Sequence, residues 1–263
     1  MVYWFERASV VVGADGRNSS LARRMGPPIT EFAPAVSCWY FTYWSGVPGD
    51  ELEIRVRDNR ATFAFPTNDG LFALFVAWPI AELPRVKADI EGEYMAVVNG
   101  VPELADRVAA GRREERFYGA TQLINFLRRP YGAGWALVGD AGAHKDPFMA
   151  LGISDALRDA EFLAEALDDG LSRRRPMRDA MEGYERRRNG ATLPNYHRNL
   201  IAARLGPPPA RELALRAALR DSPEETRRFY LAREGLIPGG PFFSEENLAR
   251  IMARAEAPAR RAA

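Results

Sequence analysis

Two periodicities organise the chain. Between residues 35 and 78 the pattern has a period of two. Leu52, Ile54 and Val56 interleave with Glu53, Arg55 and Arg57, and the run from Ser37 to Trp44 is dense in aromatic residues. This predicts antiparallel strands. Asp58-Asn59 and Asn68-Asp69-Gly70 interrupt the pattern where turns would fall, so Ala61 to Phe65 and Leu71 to Trp78 read as further strands. After Gly152 the period lengthens. Ile153, Ala156, Leu157, Ala160, Leu163, Ala164 and Leu167 fall at three- and four-residue steps and predict a helix with one buried apolar face, ending near Asp169-Gly170.

The rest of the chain fills in around these two stretches. Ala8 to Gly13 is a short β-branched run and reads as a buried parallel strand. Asp15-Gly16 turns it into a short helix, capped by Asn18 or Ser19 and closed by Gly26-Pro27-Pro28. Residues 84 to 110 predict two short helices split near Gly100-Val101-Pro102. Arg112 to Tyr118 and Leu123 to Leu127 return to the sheet, and Trp135 to Val138 is an apolar strand. A charged helix spans Met177 to Arg188 and resumes after Pro194, and its Arg186-Arg187-Arg188 run reads as a solvated face. Gly206-Pro207-Pro208-Pro209 breaks the helices. Residues 210 to 220 and 222 to 233 are helical, Ser244 with Asn247 opens a last helix, and the tail from Ala257 is expected to be disordered.

Composition narrows the class. The 263 residues carry Lys+Arg 36 against Asp+Glu 35, a net charge of +1, which gives no electrostatic case for nucleic acid or a membrane surface. Cys38 is the single cysteine, so no intrachain disulfide can form and a cytoplasmic setting is expected. No apolar run reaches the ~18 residues of a membrane span.

Two stretches carry chemistry. Gly139-Asp140 follows the Trp135–Val138 strand. Six residues later comes Pro147, then Gly152 and Asp155-Ala156. A strand ending in Gly-Asp puts a carboxylate at its carboxyl end, where open α/β sheets bind ligands. A helix starting at Gly152 offers free backbone N–H groups to an electron-rich group. Nearer the N-terminus, Asp15, Gly16, Ser19 and Arg23 stand as Asp-Gly-x-x-Ser-x-x-Arg.

The first of these resembles the second flavin motif of FAD-dependent aromatic hydroxylases (the para-hydroxybenzoate hydroxylase-like superfamily) and the other the same family's Asp-Gly-x-x-Ser-x-x-Arg signature; relatives of the family include geranylgeranyl reductases and flavin-dependent halogenases. The resemblance covers roughly residues 8 to 200. It implies a mixed α/β fold, α+β in arrangement. That fold would comprise an incomplete FAD-binding Rossmann-like domain (residues 1–30 and 130–205), an antiparallel-sheet substrate domain (31–129) and a C-terminal helical segment (206–263). Such proteins open with a strand, a G-x-G-x-x-G turn and a helix that hold the ADP half of FAD. No G-x-G-x-x-G occurs here, and only Met1 to Arg7 precede the first strand. The chain therefore reads as the C-terminal part of a flavoprotein. A missing unit of that kind would leave sheet edge and apolar helix faces exposed, with self-association or poor solubility as the expected result.

By this resemblance FAD is the cofactor and NAD(P)H the co-substrate. Asp15, Gly16, Ser19, Arg23, Gly139, Asp140, Pro147, Leu151, Gly152 and Ile153 are the expected cofactor-binding residues, with Asp140 accepting from a ribityl hydroxyl. Many relatives read Gly-Gln-Gly where this chain has Ala150-Leu151-Gly152. Asp15 has a plain alternative as a helix cap, and Trp39, Phe41 and Tyr43 read as core before pocket. His144 is the weak acid–base candidate. No metal site is expected, because His144 has no second histidine nearby. The implied function is an NAD(P)H- and O2-using monooxygenase of a small apolar or aromatic substrate. Two alternatives stand beside it: a flavin-dependent alkene reductase, and a non-catalytic remnant or partner.

Overall fold

The structure is a computed structural model and describes residues 6–233 and 236–256. The tail expected to be disordered, from Ala257, lies outside the described residues. Two compact units divide the chain at Gly206/Pro207.

Among the described residues the first unit holds three sheets. Strand β1 (Val11–Gly13) leads through helix α1 (Ser20–Met25) to β2 (Ile29–Ala33), β3 (Ser37–Ser45), β4 (Glu53–Arg57), β5 (Arg60–Pro66) and β6 (Leu71–Pro79). Three helices follow: α2 (Leu83–Ala88), α3 (Ile90–Asn99) and α4 (Pro102–Ala109). The second break, at Asp89, was not apparent from the hydrophobic pattern; the Asp89 side chain accepts from the Gly92 N–H and caps a fresh helix. Short strands come next: β7 (Arg112–Arg113), β8 (Tyr118–Ala120), β9 (Asn125–Arg128), β10 (Tyr131–Gly132), β11 (Trp135–Leu137) and β12 (Ala143–His144). Helices α5 (Gly152–Leu171) and α6 (Met177–Ala202) close the unit.

The large antiparallel sheet has the order β4-β5-β6-β3, with β7 and β8 both pairing to β3. Its hairpin at Asp58-Asn59 has positive φ at both residues, the geometry that suits a two-residue turn between right-twisted strands. One face packs on α2–α4 through Tyr40, Leu74, Trp78, Tyr94 and Val98. The period-two alternation sends Trp39, Phe41, Phe63, Phe65 and Phe75 to the other face. A second sheet, β12-β9-β2, is antiparallel. In the third, β1 and β11 run parallel with Val12 opposite Ala136 and Gly13 opposite Leu137, and β10 lies beyond β11.

Four expectations need correction. The first strand is not buried: β1 pairs only with β11 among the described residues, and Val11 and Val12 are half exposed. Helix α5 is turned about its axis. Leu163 is buried, but Ile153 is 80% and Leu157 69% exposed, while Asp155 and Asp159 point inward. Paired charges and not the apolar stripe face the protein there. Helix α6 runs unbroken through Pro194. Its buried stripe of Tyr184, Arg188, Thr192, Tyr196 and Asn199 continues on both sides, and Pro194 faces outward, where the lost hydrogen bond is solvated. Arg188 is not a solvated charge: it is 1% exposed.

The second unit contains α7 (Ala210–Leu219), α8 (Pro223–Arg233), α9 (Gly239–Phe242) and α10 (Glu245–Glu256). They enclose a small core of Leu215, Leu219, Phe229, Phe242 and Ile251. Ser244 Oγ accepts from the Asn247 N–H and so opens α10. Among the described residues, no helix is long and apolar enough to cross a membrane.

Candidate functional site

A cavity of about 410 Å³ lies between the aromatic face of the large sheet and the segment from Asp140 to Ile153. Trp39, Phe41, Phe63, Phe65, Phe75 and Leu123 form one wall. Phe65, Phe75 and Phe41 are nearly parallel, with centroids 5.7 and 4.5 Å apart and tilts of 13° and 16°, and Tyr118 continues the stack at 5.4 Å. Such a slab suits a flat apolar ring. The opposite wall is polar: Asp140, His144, Lys145 and Asp146, then Pro147, Ala150, Leu151, Gly152 and Ile153, with Asn199 reaching in from α6.

Local geometry explains how that second wall is held. Gly139 takes φ +55, and a Cβ there would stand 2.9 Å from the Ala156 Cβ, so only glycine lets α5 come this close to the end of β11. Asp140 follows on a short 3-10 turn. Its carboxylate has no hydrogen-bond or ion-pair partner among the described residues, and it stands beside Gly152, whose imagined Cβ would be 4.0 Å from Oδ1. Helix α5 starts there without a side-chain cap. Its first-turn N–H groups therefore line the cavity as free donors.

Buried polar bonds fix the rest of the loop. Ser37 Oγ donates to Asp146 Oδ2, and Trp39 Nε1 donates to Ser37 Oγ at 2.7 Å. The Phe148 N–H donates to Asp146 Oδ1, and the Asp146 N–H donates to Asn125 Oδ1 at 2.7 Å. Asn199 donates to the Asp146 carbonyl and accepts from the Met149 N–H. Burial pushes the Asp146 carboxyl up to about 6 despite these donors. Lys145 is paired with Asp155, whose other oxygen takes Arg158 at 2.6 Å. Arg158 also reaches Asp159 and Thr192. Arg188 donates to the Gly142 and Arg128 carbonyls, and Tyr184 donates to the Leu137 carbonyl.

His144 is 4% exposed and stacks on Phe126. Its Nδ1 bonds the Ile124 carbonyl, which fixes the neutral tautomer with hydrogen on Nδ1 and a bare Nε2. Burial holds its pKa below the ordinary imidazole value; Arg17 and Lys145 push the same way, while the Ile124 bond and Asp140 push back.

Of the residues expected at a cofactor, Asp140, Pro147, Leu151, Gly152 and Ile153 meet on this wall with His144, and Gly139 sets their approach. Asp15, Gly16, Ser19 and Arg23 are not on the cavity wall. They sit at the carboxyl end of β1, beside the end of β11 from which the Asp140 loop leaves. The Asp15 carboxylate accepts from the Ser20 N–H at 2.7 Å, and Ser19 Oγ accepts from the Ala22 N–H. Bonds from Ser19 and the first turn of α1 hold Asp15 below the usual carboxylate range. Arg23 donates to the Asn18 carbonyl and to Ser20 Oγ. Ala150 adopts φ 54, a left-handed conformation that glycine takes without strain. Cys38 is buried and its thiol is pushed up to about 11, so it offers no thiolate. Among the described residues no group of His, Cys, Asp and Glu is placed to hold a metal ion.

The chain shares the aromatic-hydroxylase-like fold of PqsL, a probable FAD-dependent monooxygenase, and of FAD-dependent halogenases. Among solved structures, PqsL of Pseudomonas aeruginosa in complex with 2-aminobenzoylacetate is 27% identical over 74% of this chain, with a TM-score of 0.61. The brominase Bmp2 is 19% identical over 94% of the chain and 62% of its own length, with a TM-score of 0.65. The myxobacterial chondrochloren halogenase CndH is 15% identical over 94% of this chain and 61% of its own, at 0.66. At those identities the two halogenases share the fold alone. The chain spans 55% of the length of PqsL. No family model and no curated protein matches the sequence.

Proposed function

We propose that this chain forms the flavin-ring and substrate side of an FAD-dependent oxidoreductase, most closely a monooxygenase that hydroxylates a small aromatic or apolar compound with NAD(P)H and O2. The observation that carries the reading is the pairing on one wall of an unpartnered carboxylate, Asp140, with the uncapped start of α5 at Gly152. The donor set fits the group. An ionised carboxylate is an acceptor suited to a ribityl hydroxyl, and a helix N-terminus favours the electron-rich pyrimidine edge of an isoalloxazine by ~0.3–1 kcal/mol per charge or more when partly buried. Bound FAD would supply the redox chemistry. This chain's residues would orient the ring, through Asp140 and the 151–153 N–H groups, and exclude water with the aromatic wall. On this reading Asp15, Gly16, Ser19 and Arg23 hold the neighbouring loop in shape beneath the cofactor, with Asp15 acting through α1.

The monooxygenase reading is preferred to halogenation because PqsL, at 27% identity, is similar beyond the fold alone, and the ligand in its structure, 2-aminobenzoylacetate, is an aromatic compound. The comparisons do not favour the alkene-reductase or non-catalytic readings.

The test is flavin binding by the full chain. FAD fluorescence should be quenched on titration, and Asp140→Ala should weaken the apparent affinity about tenfold, as expected for losing a charge-assisted hydrogen bond of ~1.5 kcal/mol. Equal quenching curves for the two proteins would remove Asp140 from the site, and no quenching by either would overturn the flavoprotein reading.

A further inference from the structure

The cavity wall includes His144, a polar side chain that the flavin reading does not use. His144 Nε2 has no partner among the described residues, and it is not one of the fully enclosed unpartnered atoms. His144 lines the cavity, and Nε2 is its remaining ring nitrogen. Its partner nitrogen is fixed by the Ile124 carbonyl, so Nε2 is a hydrogen-bond acceptor, never a donor, while the ring is neutral. Phe126 stacking and deep burial keep the ring from turning. Across the cavity stands the parallel Phe65–Phe75–Phe41 slab.

We propose that His144 is a specificity-determining residue, whose bare Nε2 accepts a hydrogen bond from an O–H or N–H carried on a flat aromatic ligand seated against the phenylalanine slab. The assignment rests on reading the cavity as the substrate site. Rings that bear a donor would be selected over their alkylated counterparts, because a methyl ether leaves the buried acceptor without a partner. Four charged or titratable groups surround the ring: Asp140 favours its protonation, Arg17 and Lys145 oppose it, and Asp146 shares the wall. Desolvation is the largest of these influences and also opposes protonation, so the balance favours the neutral ring with its bare acceptor.

Calorimetric titration of the full chain with 1-naphthol and with 1-methoxynaphthalene tests this without flavin. The unmodified protein should bind naphthol roughly fivefold to tenfold more tightly, the factor one hydrogen bond provides. That preference should persist at pH 6. His144→Asn places an amide N–H near the Nδ1 position, keeps the Ile124 bond and removes the Nε2 acceptor; it should bind both probes alike. Equal binding of the two probes by the unmodified protein at pH 7.5 or pH 6, an unchanged preference in His144→Asn, or no binding of either probe would each overturn the proposal. The pH comparison needs no variant, so a misfolded substitution does not decide it. Flavin quenching is read separately, so a chain that binds FAD but does not discriminate between the probes refutes His144 alone.

Discussion

The two walls of the cavity are built on opposite principles. The aromatic wall is a sheet face, where side chains repeat every second residue and share one apolar environment. Each contributes through area, and neighbours can repack when one changes. The polar wall is a loop held by buried charges and single hydrogen bonds: Asp155 between Lys145 and Arg158, Asp146 among Ser37, Asn125 and Asn199, and Arg188 on two carbonyls. There each group depends on two or three named partners, and removing it strands them. One wall should tolerate substitution and the other should not.

The sharpest contrast is Asp155→Ala. It leaves Lys145 and Arg158 without their shared carboxylate, Lys145 in a site only 5% exposed, and should cost ~3–5 kcal/mol in urea unfolding. A loss under 1 kcal/mol would erase the distinction between the walls.

Asp146→Asn probes the same wall through pH. The folded carboxyl titrates at about 6 against 3.8 for an ordinary Asp, so between those values the native state holds the extra proton. Its contribution to stability is therefore favourable at low pH and falls as pH rises through the window. The neutral variant should gain on the unmodified protein by roughly 2–3 kcal/mol between pH 4 and pH 7.5. A pH-independent gap would show that Asp146 does not titrate as its burial implies.

On the aromatic wall, Phe75→Leu should cost less than ~1.5 kcal/mol, because the slab can close over a smaller side chain. An unfolded variant would mean that the stack is as brittle as the loop. A smaller effect is expected at Ala150. Replacing it with glycine relieves a left-handed alanine but adds freedom to the unfolded chain, for a net gain of roughly 0.5–1 kcal/mol in thermal unfolding.

What was legible in the sequence follows the same division. Strands β3, β5 and β6 and the 58–59 turn announce themselves by alternation and turn chemistry, as does the position of the Gly139-Asp140 loop after β11. The aromatic wall was half visible. Trp39 and Phe41 read as core from their residue types, and the strand register places them on the cavity face with Phe63 and Phe65. The polar wall was hidden. An apolar stripe normally marks the inner side of a helix, and α5 breaks that rule because Asp155 finds Lys145 in the preceding loop, while Arg158, on α5 itself, pairs with Asp155 and Asp159 and reaches Thr192 on α6. Arg188 was lost in an arginine run for the same reason: the carbonyls it bonds lie 46 and 60 residues away in sequence. Asp146, before Pro147, is the one member with a local signal, since an Asp-Pro pair suits a capped turn, and Asp146 does cap one.

The outward face of α5 also has a practical side. Leu157 is already wetted, so exchanging it for glutamate disturbs no packed neighbour and should shift unfolding by no more than ~0.5 kcal/mol. That makes it a handle for handling: a greasy spot on the surface can be made hydrophilic, and the protein kept dispersed at high concentration, without touching the chamber next door.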